Sequence, residues 1–158
     1  MSLQIAAARA EDTPLILGFI QALAEYEKLT HACVATEQTL RATLFGDHAY
    51  AEVLIARWHS EPAGFALFFH NYSTFLAQPG IYLEDLFVGP RFRGHGIGKA
   101  LLTRLAQLAN QRGCGRVEWS VLNWNQPAID FYRRMGATPQ DEWTVYRLTG
   151  EALAAYGQ

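Results

Sequence analysis

Apolar and polar positions recur along this chain in two periods, and each period marks a different kind of element. Leu3 to Ala8 is a short apolar run that predicts a strand. From Glu11 or Asp12 onward, Leu15, Ile16, Phe19, Ile20, Leu23 and Ala24 repeat at helical spacing. Pro14 falls in the first turn of that helix, where a missing N–H costs nothing, and the helix ends near Tyr26 to Lys28. Leu29 to Ala35 is a loop, and Thr36 caps a second helix that runs through Leu40 and Leu44 to Gly46. Ala51 to Trp58 and Gly64 to His70 read as two strands of a hairpin, joined by the polar turn His59 to Ala63. Asn71 to Gly80 reads as a loop, with Tyr72 and Phe75 exposed or packed on a neighbour. Ile81 to Val88 is an apolar strand, followed by a turn at Gly89-Pro90 and a basic, glycine-rich loop from Arg91 to Gly98. A helix follows with Ile97, Leu101, Leu102, Leu105, Leu108 and Ala109 on one side, and Gly113 stands where a left-handed cap is expected. Arg116 to Leu122 predicts a further strand. Asn125 then caps a helix, Gln126 to Met135, with Pro127 in its first turn and Gly136 at its end. Thr144 to Leu148 predicts a last strand and Glu151 to Tyr156 a small terminal helix or tail. The order predicts a single α/β domain over residues 1–158, a mixed, mostly antiparallel sheet flanked by helices.

The stretch from Ile81 to Arg112 carries the first chemistry. Its order is strand, glycine loop, helix start, and that order builds an anion site. The first N–H groups of a helix have no partner within it and point at whatever lies above them. Glycines let the loop backbone approach a bulky phosphate, and Arg91 and Arg93 add positive charge. Two common phosphate-binding patterns fail here. The phosphate loop of nucleotide hydrolases needs Ser or Thr after Gly-Lys, whereas Gly98-Lys99 is followed by Ala100, and it needs glycine at 93, which is arginine. The dinucleotide fingerprint GxGxxG would need glycine at 99 or 101, which are Lys99 and Leu101. What remains is R-x-x-G-x-G, from Arg93 to Gly98.

Composition narrows the field. The chain has 158 residues, half of them hydrophobic, which suits a globular domain with a substantial core. A formal net charge of −2 argues against a general nucleic-acid binder, whose affinity would rest on excess Lys and Arg. No apolar run approaches a membrane span, and no signal peptide is evident at the N-terminus. Cys33 and Cys114 form no framework and read as free thiols in a reducing cytoplasm. The histidines at 31, 48, 59, 70 and 95 show no metal-ligand spacing, so no metal is expected.

A second motif, Val121-Leu122-Asn123-Trp124-Asn125-Gln126-Pro127-Ala128-Ile129-Asp130-Phe131-Tyr132, contains N-x-x-A-x-x-x-Y at Asn125, Ala128 and Tyr132. Together with the Arg93–Gly98 loop it resembles the GNAT superfamily of acetyl-CoA-dependent N-acetyltransferases. Within it, YLEDLFV, RGHGIG and LNWNQPAIDFY resemble the diamine acetyltransferases of the spermidine/spermine type, as do LAEYEKL and GATPQDEW. The resemblance implies acetyl-CoA as co-substrate, held by Leu86, Phe87, Val88, Arg93, Gly94, His95, Gly96, Ile97, Gly98, Lys99, Asn125, Pro127, Ala128 and Tyr132. It implies a small amine acceptor held by Tyr26, Glu27, Glu84 and Glu142, with Asp141 an alternative to Glu142. It also implies a homodimer.

The reaction explains why such residues are wanted. An ammonium ion has no lone pair, and aliphatic amines resemble Lys, with a pKa of about 10.4. A carboxylate can hold the cation and accept a proton, directly or through water. Glu84 is the candidate, lying in an otherwise apolar strand. Strand alternation sets its neighbour Asp85 on the opposite face, and Asp85 reads as structural. The thioester carbonyl must be polarised by a backbone N–H, for which the resemblance implies the strand end near Val88. The departing thiolate needs a proton, which the resemblance assigns to Tyr132. By periodicity alone, at helical spacing with Ile129 and Met135, Tyr132 reads as a core aromatic. The expected activity is direct transfer of acetyl to a polyamine, a diamine or a thialysine- or lysine-like amino acid. Acetylation of a protein N-terminus or lysine, or acyl-CoA sensing without turnover, are the alternatives.

Overall fold

The computed structural model describes residues 2–157. Among the described residues the strands and α-helices follow one another as β1 (Leu3–Ala7), α1 (Thr13–Tyr26), α2 (Glu37–Phe45), β2 (Glu52–Trp58), β3 (Glu61–Ser73), β4 (Gln78–Val88), α3 (Ile97–Gln111), β5 (Val117–Trp119), α4 (Gln126–Arg134) and α5 (Gly150–Tyr156), with short 3-10 turns at Ala10–Asp12, Thr30–Ala32 and Pro90–Phe92. The strands form one sheet in the order β1-β2-β3-β4-β5. The first four are antiparallel neighbours and β5 runs parallel to β4, so the sheet is mixed as expected. Two compact units divide the chain, one up to Ser120 and one from Val121 onward.

In the first unit, side-chain alternation assigns each sheet face its cover. Ile16, Phe19 and Leu23 of α1 and Leu44 of α2 pack on Val53, Ile55, Phe65 and Phe87. Phe19 stacks on Phe65 with ring centroids 5.3 Å apart. The residues between these in sequence, Leu54, Ala56, Ala66 and Phe68, face the other way, and α3 buries Ile97, Leu101, Leu102, Leu105 and Ala109 on that side. Truncating a fully buried leucine such as Leu101 to alanine costs about 3 kcal/mol. Thr36 caps α2 with its side-chain oxygen, accepting from Thr39 N–H at 3.1 Å. Gly113, with φ of 71°, closes α3 in the left-handed conformation the sequence suggested.

The predicted hairpin is tighter and longer than expected. Trp58 faces Glu61 directly, and only His59 and Ser60 turn, at φ of 49° and 69°. Asn71 to Gly80 is not a loop. β3 runs on to Ser73 and β4 begins at Gln78, with Asn71 opposite Gly80 and Tyr72 opposite Pro79. These residues extend past the core, so their ladder is held by backbone hydrogen bonds and leaves no hydrophobic alternation. The remaining turn exposes Phe75 entirely. β5 is three residues long, shorter than predicted.

The second unit contains α4 and α5. Asn125 holds the N-cap position of α4 but makes no capping bond through its side chain, and Pro127 sits in the first turn as expected. Thr144 to Leu148, expected as a strand, has no regular structure. Its alternation is favourable, but among the described residues of this unit there is no strand to pair with it. Among the described residues no helix is long and apolar enough to cross a membrane, and no three His, Cys, Asp or Glu side chains gather as metal ligands.

Candidate active site

The glycine loop adopts the geometry an anion requires. Gly94 and Gly96 have φ of 86° and 76°, in the left-handed region that favours glycine. Gly96 is the N-cap of α3 and supplies no side chain to the first N–H groups of the helix. A Cβ at either glycine would meet nothing within 4 Å, so the cradle is open to a ligand. His95 between them stacks on Trp58, with centroids 4.6 Å apart and planes 23° from parallel. Lys99 lies on the flank of α3 that faces β1, where Leu3, Ile5, Thr103, Arg104 and Gln107 help line a shallow groove of about 430 Å³.

β4 delivers its backbone donors to the same end of the sheet. Val88 stands opposite Gly64, and Gly89 N–H donates to the Ala63 carbonyl at 2.8 Å. That bond marks Val88–Gly64 as a non-hydrogen-bonded pair, so Val88 N–H and C=O both point away from β3. Leu86, opposite Ala66, has the same orientation, and Phe87 between them turns its backbone groups toward β3 and its ring into the core. On the outer side β5 pairs with β4 only over Ile81, Tyr82 and Leu83. Among the described residues no strand covers the outer edge of 84–88. The N–H groups of Leu86 and Val88 thus point away from β3, at the end of β4 that leads into the glycine loop.

Glu84 is the extra residue of a β-bulge. Phe68 faces Leu83 and Leu67 faces Asp85, which leaves Glu84 without an opposite number. The bulge resets the alternation. Leu83 shares the α3 face with Phe68, whereas Asp85 shares the α1 face with Leu67 and Phe87. The strict alternation on which the opposite-face expectation for Glu84 and Asp85 rests is therefore interrupted at Glu84. Asp85 comes instead into the field of Glu27, the residue that ends α1. Burial pushes the Asp85 carboxyl up to about 7, and the charges of Glu84 and Glu27 push in the same direction. Glu27 is also raised, by burial first and by Glu84 second. Glu84 thus acts on two neighbouring carboxyls, Asp85 and Glu27, whose ionisation is held back, and a cation placed among them would favour their charged forms.

Arg93 goes somewhere the sequence did not suggest. Its Nε donates to the Val88 carbonyl at 3.0 Å. Its guanidinium lies over the Tyr26 ring at 5.2 Å and the Phe87 ring at 5.7 Å. In the second unit, Asn125, Pro127, Ala128 and Tyr132 come together on the first two turns of α4 and its cap. Asn125 is buried and Tyr132 half-buried, with the Tyr132 ring centroid 5.6 Å from that of Phe131. Glu142 is exposed in the irregular segment before α5. Sequence reasoning assigned Asp85 no functional part. The available signal was a second acid in an apolar strand, and the bulge that gives it meaning has no sequence signature.

A mixed sheet whose fourth strand runs into a left-handed glycine loop and a helix start is an arrangement able to receive a phosphate-bearing ligand. Comparison with known proteins agrees. The profile of the Acetyltransferase (GNAT) family matches residues 19–137. An L-ornithine N5-acetyltransferase of Arabidopsis thaliana is 36% identical over 197 aligned residues, covering 96% of this chain and 86% of that protein. A thialysine N-epsilon-acetyltransferase of Bos taurus is 37% identical over 157 residues, covering 92% of each. Among solved structures, an integron cassette protein from the mobile metagenome of V. cholerae superposes with a TM-score of 0.85 at 28% identity, covering 100% of this chain and 99% of that one. The chain belongs to the GNAT acetyltransferase family. It is an N-acetyltransferase, and its likeness to the ornithine and thialysine enzymes agrees with the diamine-type resemblance read from its motifs.

Proposed function

We propose that this enzyme transfers acetyl from acetyl-CoA to a primary amine of a small cationic acceptor, a diamine, polyamine or amino acid of the ornithine or thialysine kind. One observation carries this reading: the carboxyls of Glu27 and Asp85 lie in the field of Glu84 at the bulge of β4, and burial together with that field raises the pKa of both. A second ammonium group on the acceptor would relieve that crowding, whereas a neutral chain would not. The names of the two relatives above point to acceptors with such a second charge. The family profile spans both units, which supports one functional domain over 1–158.

Acetyl-CoA, when bound, supplies the activated acyl group. The residues of this chain fit it, because the Gly94 and Gly96 cradle is open and the N–H groups that begin α3 lie above it. The backbone from Arg93 to Lys99 would hold the diphosphate, with Leu86 to Val88 along the carrier's extended arm. Asn125, Pro127 and Ala128 are further cofactor contacts that the family resemblance implies. Val88 N–H, turned outward by its place in the ladder, would donate to the carbonyl oxygen. Glu84 would hold the reacting amine and take its proton, directly or through water. Tyr26, Glu27 and Glu142 would orient the rest of the acceptor. Tyr132 would donate its hydroxyl proton to the leaving thiolate. A homodimer in the cytoplasm belongs to the same reading. Trp143, Val145, Tyr146 and Leu148 are exposed at 55–92% and would gain from cover by a second copy.

CoA release with acetyl-CoA tests this against a panel of ornithine, thialysine, lysine, putrescine, spermidine, spermine and short peptides. Turnover with a diamine, a polyamine or a diamino acid is the expected result. Turnover of peptides alone would move the assignment to protein acetylation, and tight acetyl-CoA binding with no acceptor turned over would favour a sensor.

A further inference from the structure

Arg93 opens the glycine loop, and a cation there is most simply read as a phosphate ligand. The geometry does not follow that reading. Phe87 belongs to the sheet face covered by α1, and Tyr26 is the last residue of α1. α3, whose first N–H groups form the anion cradle, packs on the opposite face. By lying over the Phe87 and Tyr26 rings, the Arg93 guanidinium reaches toward the α1 side. Its Nε is committed as well, to the Val88 carbonyl. The Val88–Gly89 peptide is thereby held at both ends, by Arg93 on its carbonyl and by Ala63 on its N–H. One side chain thus ties together the end of α1, next to Glu27, and the end of β4, where the outward N–H of Val88 lies.

We propose that the Arg93 side chain is a positioning residue for the acceptor end of the reaction, clamping the Tyr26–Glu27 end of α1 and the Val88–Gly89 peptide together, and that it is not a phosphate ligand. This rests on the amine acetyltransferase reading above. The backbone of the loop holds the cofactor, and the side chain sets the distance between the acidic cluster and the carbonyl-polarising N–H. The clamp needs arginine specifically. A guanidinium can stack flat on aromatic rings while donating in its own plane, and a lysine ammonium of the same charge cannot.

The test compares Arg93→Lys and Arg93→Met in the full chain. CoA affinity is measured by calorimetry, and kcat and KM with the best acceptor of the panel. Both variants are expected to raise the acceptor KM about tenfold, with Lys failing to rescue Met, and to leave the CoA dissociation constant within about twofold of the parent. A phosphate ligand would behave in the reverse way: CoA affinity would fall in the Met variant, recover in the Lys variant, and leave the acceptor KM alone. That result overturns the proposal. Tyr26→Leu removes one face of the clamp without touching the loop, and the proposal requires it to raise the acceptor KM as well. Parent turnover with an unchanged acceptor KM in all three variants overturns the clamp alone, whereas a parent chain that acetylates no amine overturns the clamp and the functional reading together.

Discussion

Replacing Asp85 with asparagine should change the way stability depends on pH. The side chain is mostly buried, its neighbours are Glu27 and Glu84, and its carboxyl titrates at about 7 in place of 3.8. The raised value means that the folded chain holds a proton that the unfolded chain releases. The sign follows from that difference. Between about pH 4 and pH 7 the folded state binds more protons, so stability falls as pH rises through the window and is level on either side of it. A displacement of about three units corresponds to about 4 kcal/mol at most, at about 1.4 kcal/mol per unit, and water reaching the cluster reduces this toward about 2 kcal/mol. Asparagine keeps the shape and cannot ionise. Urea denaturation at several pH values should show the parent losing about 2–4 kcal/mol relative to Asp85→Asn between about pH 4.5 and pH 8. The difference between the two profiles removes every other titrating group. Parallel profiles would refute the reasoning, because they would mean that Asp85 ionises in the folded state as easily as in the unfolded one. The same crowding predicts that a dicationic acceptor tightens with rising pH through this window, since it binds the ionised cluster. Asp85→Asn should flatten that dependence.

Other expectations follow from single positions. Gly96→Ala puts a side chain at φ of 76° with nothing to collide with, so its cost is backbone strain alone, about 1–2 kcal/mol. Thermal unfolding should show a loss of several degrees, and calorimetry about tenfold weaker CoA binding as the loop relaxes away from the cradle. Gly98 is an instructive contrast, because its backbone is ordinary and a Cβ would touch only Val88 Cγ2 at 3.9 Å. Gly98→Ala should keep its melting temperature, so that any lost CoA affinity reports the ligand's approach. Tyr132→Phe should lower kcat at least tenfold, about 1.4 kcal/mol of transition-state stabilisation, with CoA affinity retained. A smaller loss would return Tyr132 to the packing role that its helical spacing also allows.

Most of the fold could be read from residue order because the core follows simple periods. Ile16, Phe19 and Leu23 repeat at helical spacing and are buried together, and so are Leu101, Leu105 and Ala109. What escaped was structure held by strand pairing and polar contacts rather than by apolar periodicity. The outer halves of β3 and β4 lie beyond the core, so Asn71, Tyr72 and Ser73 carry no alternation to betray their pairing. Thr144 to Leu148 shows the reverse case, a strand pattern with no partner in its own unit. The site divides in the same way. The glycine loop was legible because left-handed φ angles restrict residue choice. The β-bulge at Glu84 and the folding back of Arg93 were not, since a register shift leaves no mark on residue identity and an arginine side chain can reach phosphate, carbonyl or ring. The raised pKa of Asp85 was hidden for the first of these reasons.

The measurement that bears most directly on the central claim is the ratio of kcat/KM for a diamino acceptor to that for the matching monoamine, in the parent enzyme and in Glu84→Gln and Glu27→Gln. The two amines share a reacting end and differ only in the second charge. If the acidic cluster selects a cationic acceptor, the parent should favour the diamine at least tenfold, Glu27→Gln should erase that preference, and Glu84→Gln should depress both rates with CoA binding intact. A parent enzyme that treats the two amines alike, or a preference that survives loss of Glu27, would contradict the account.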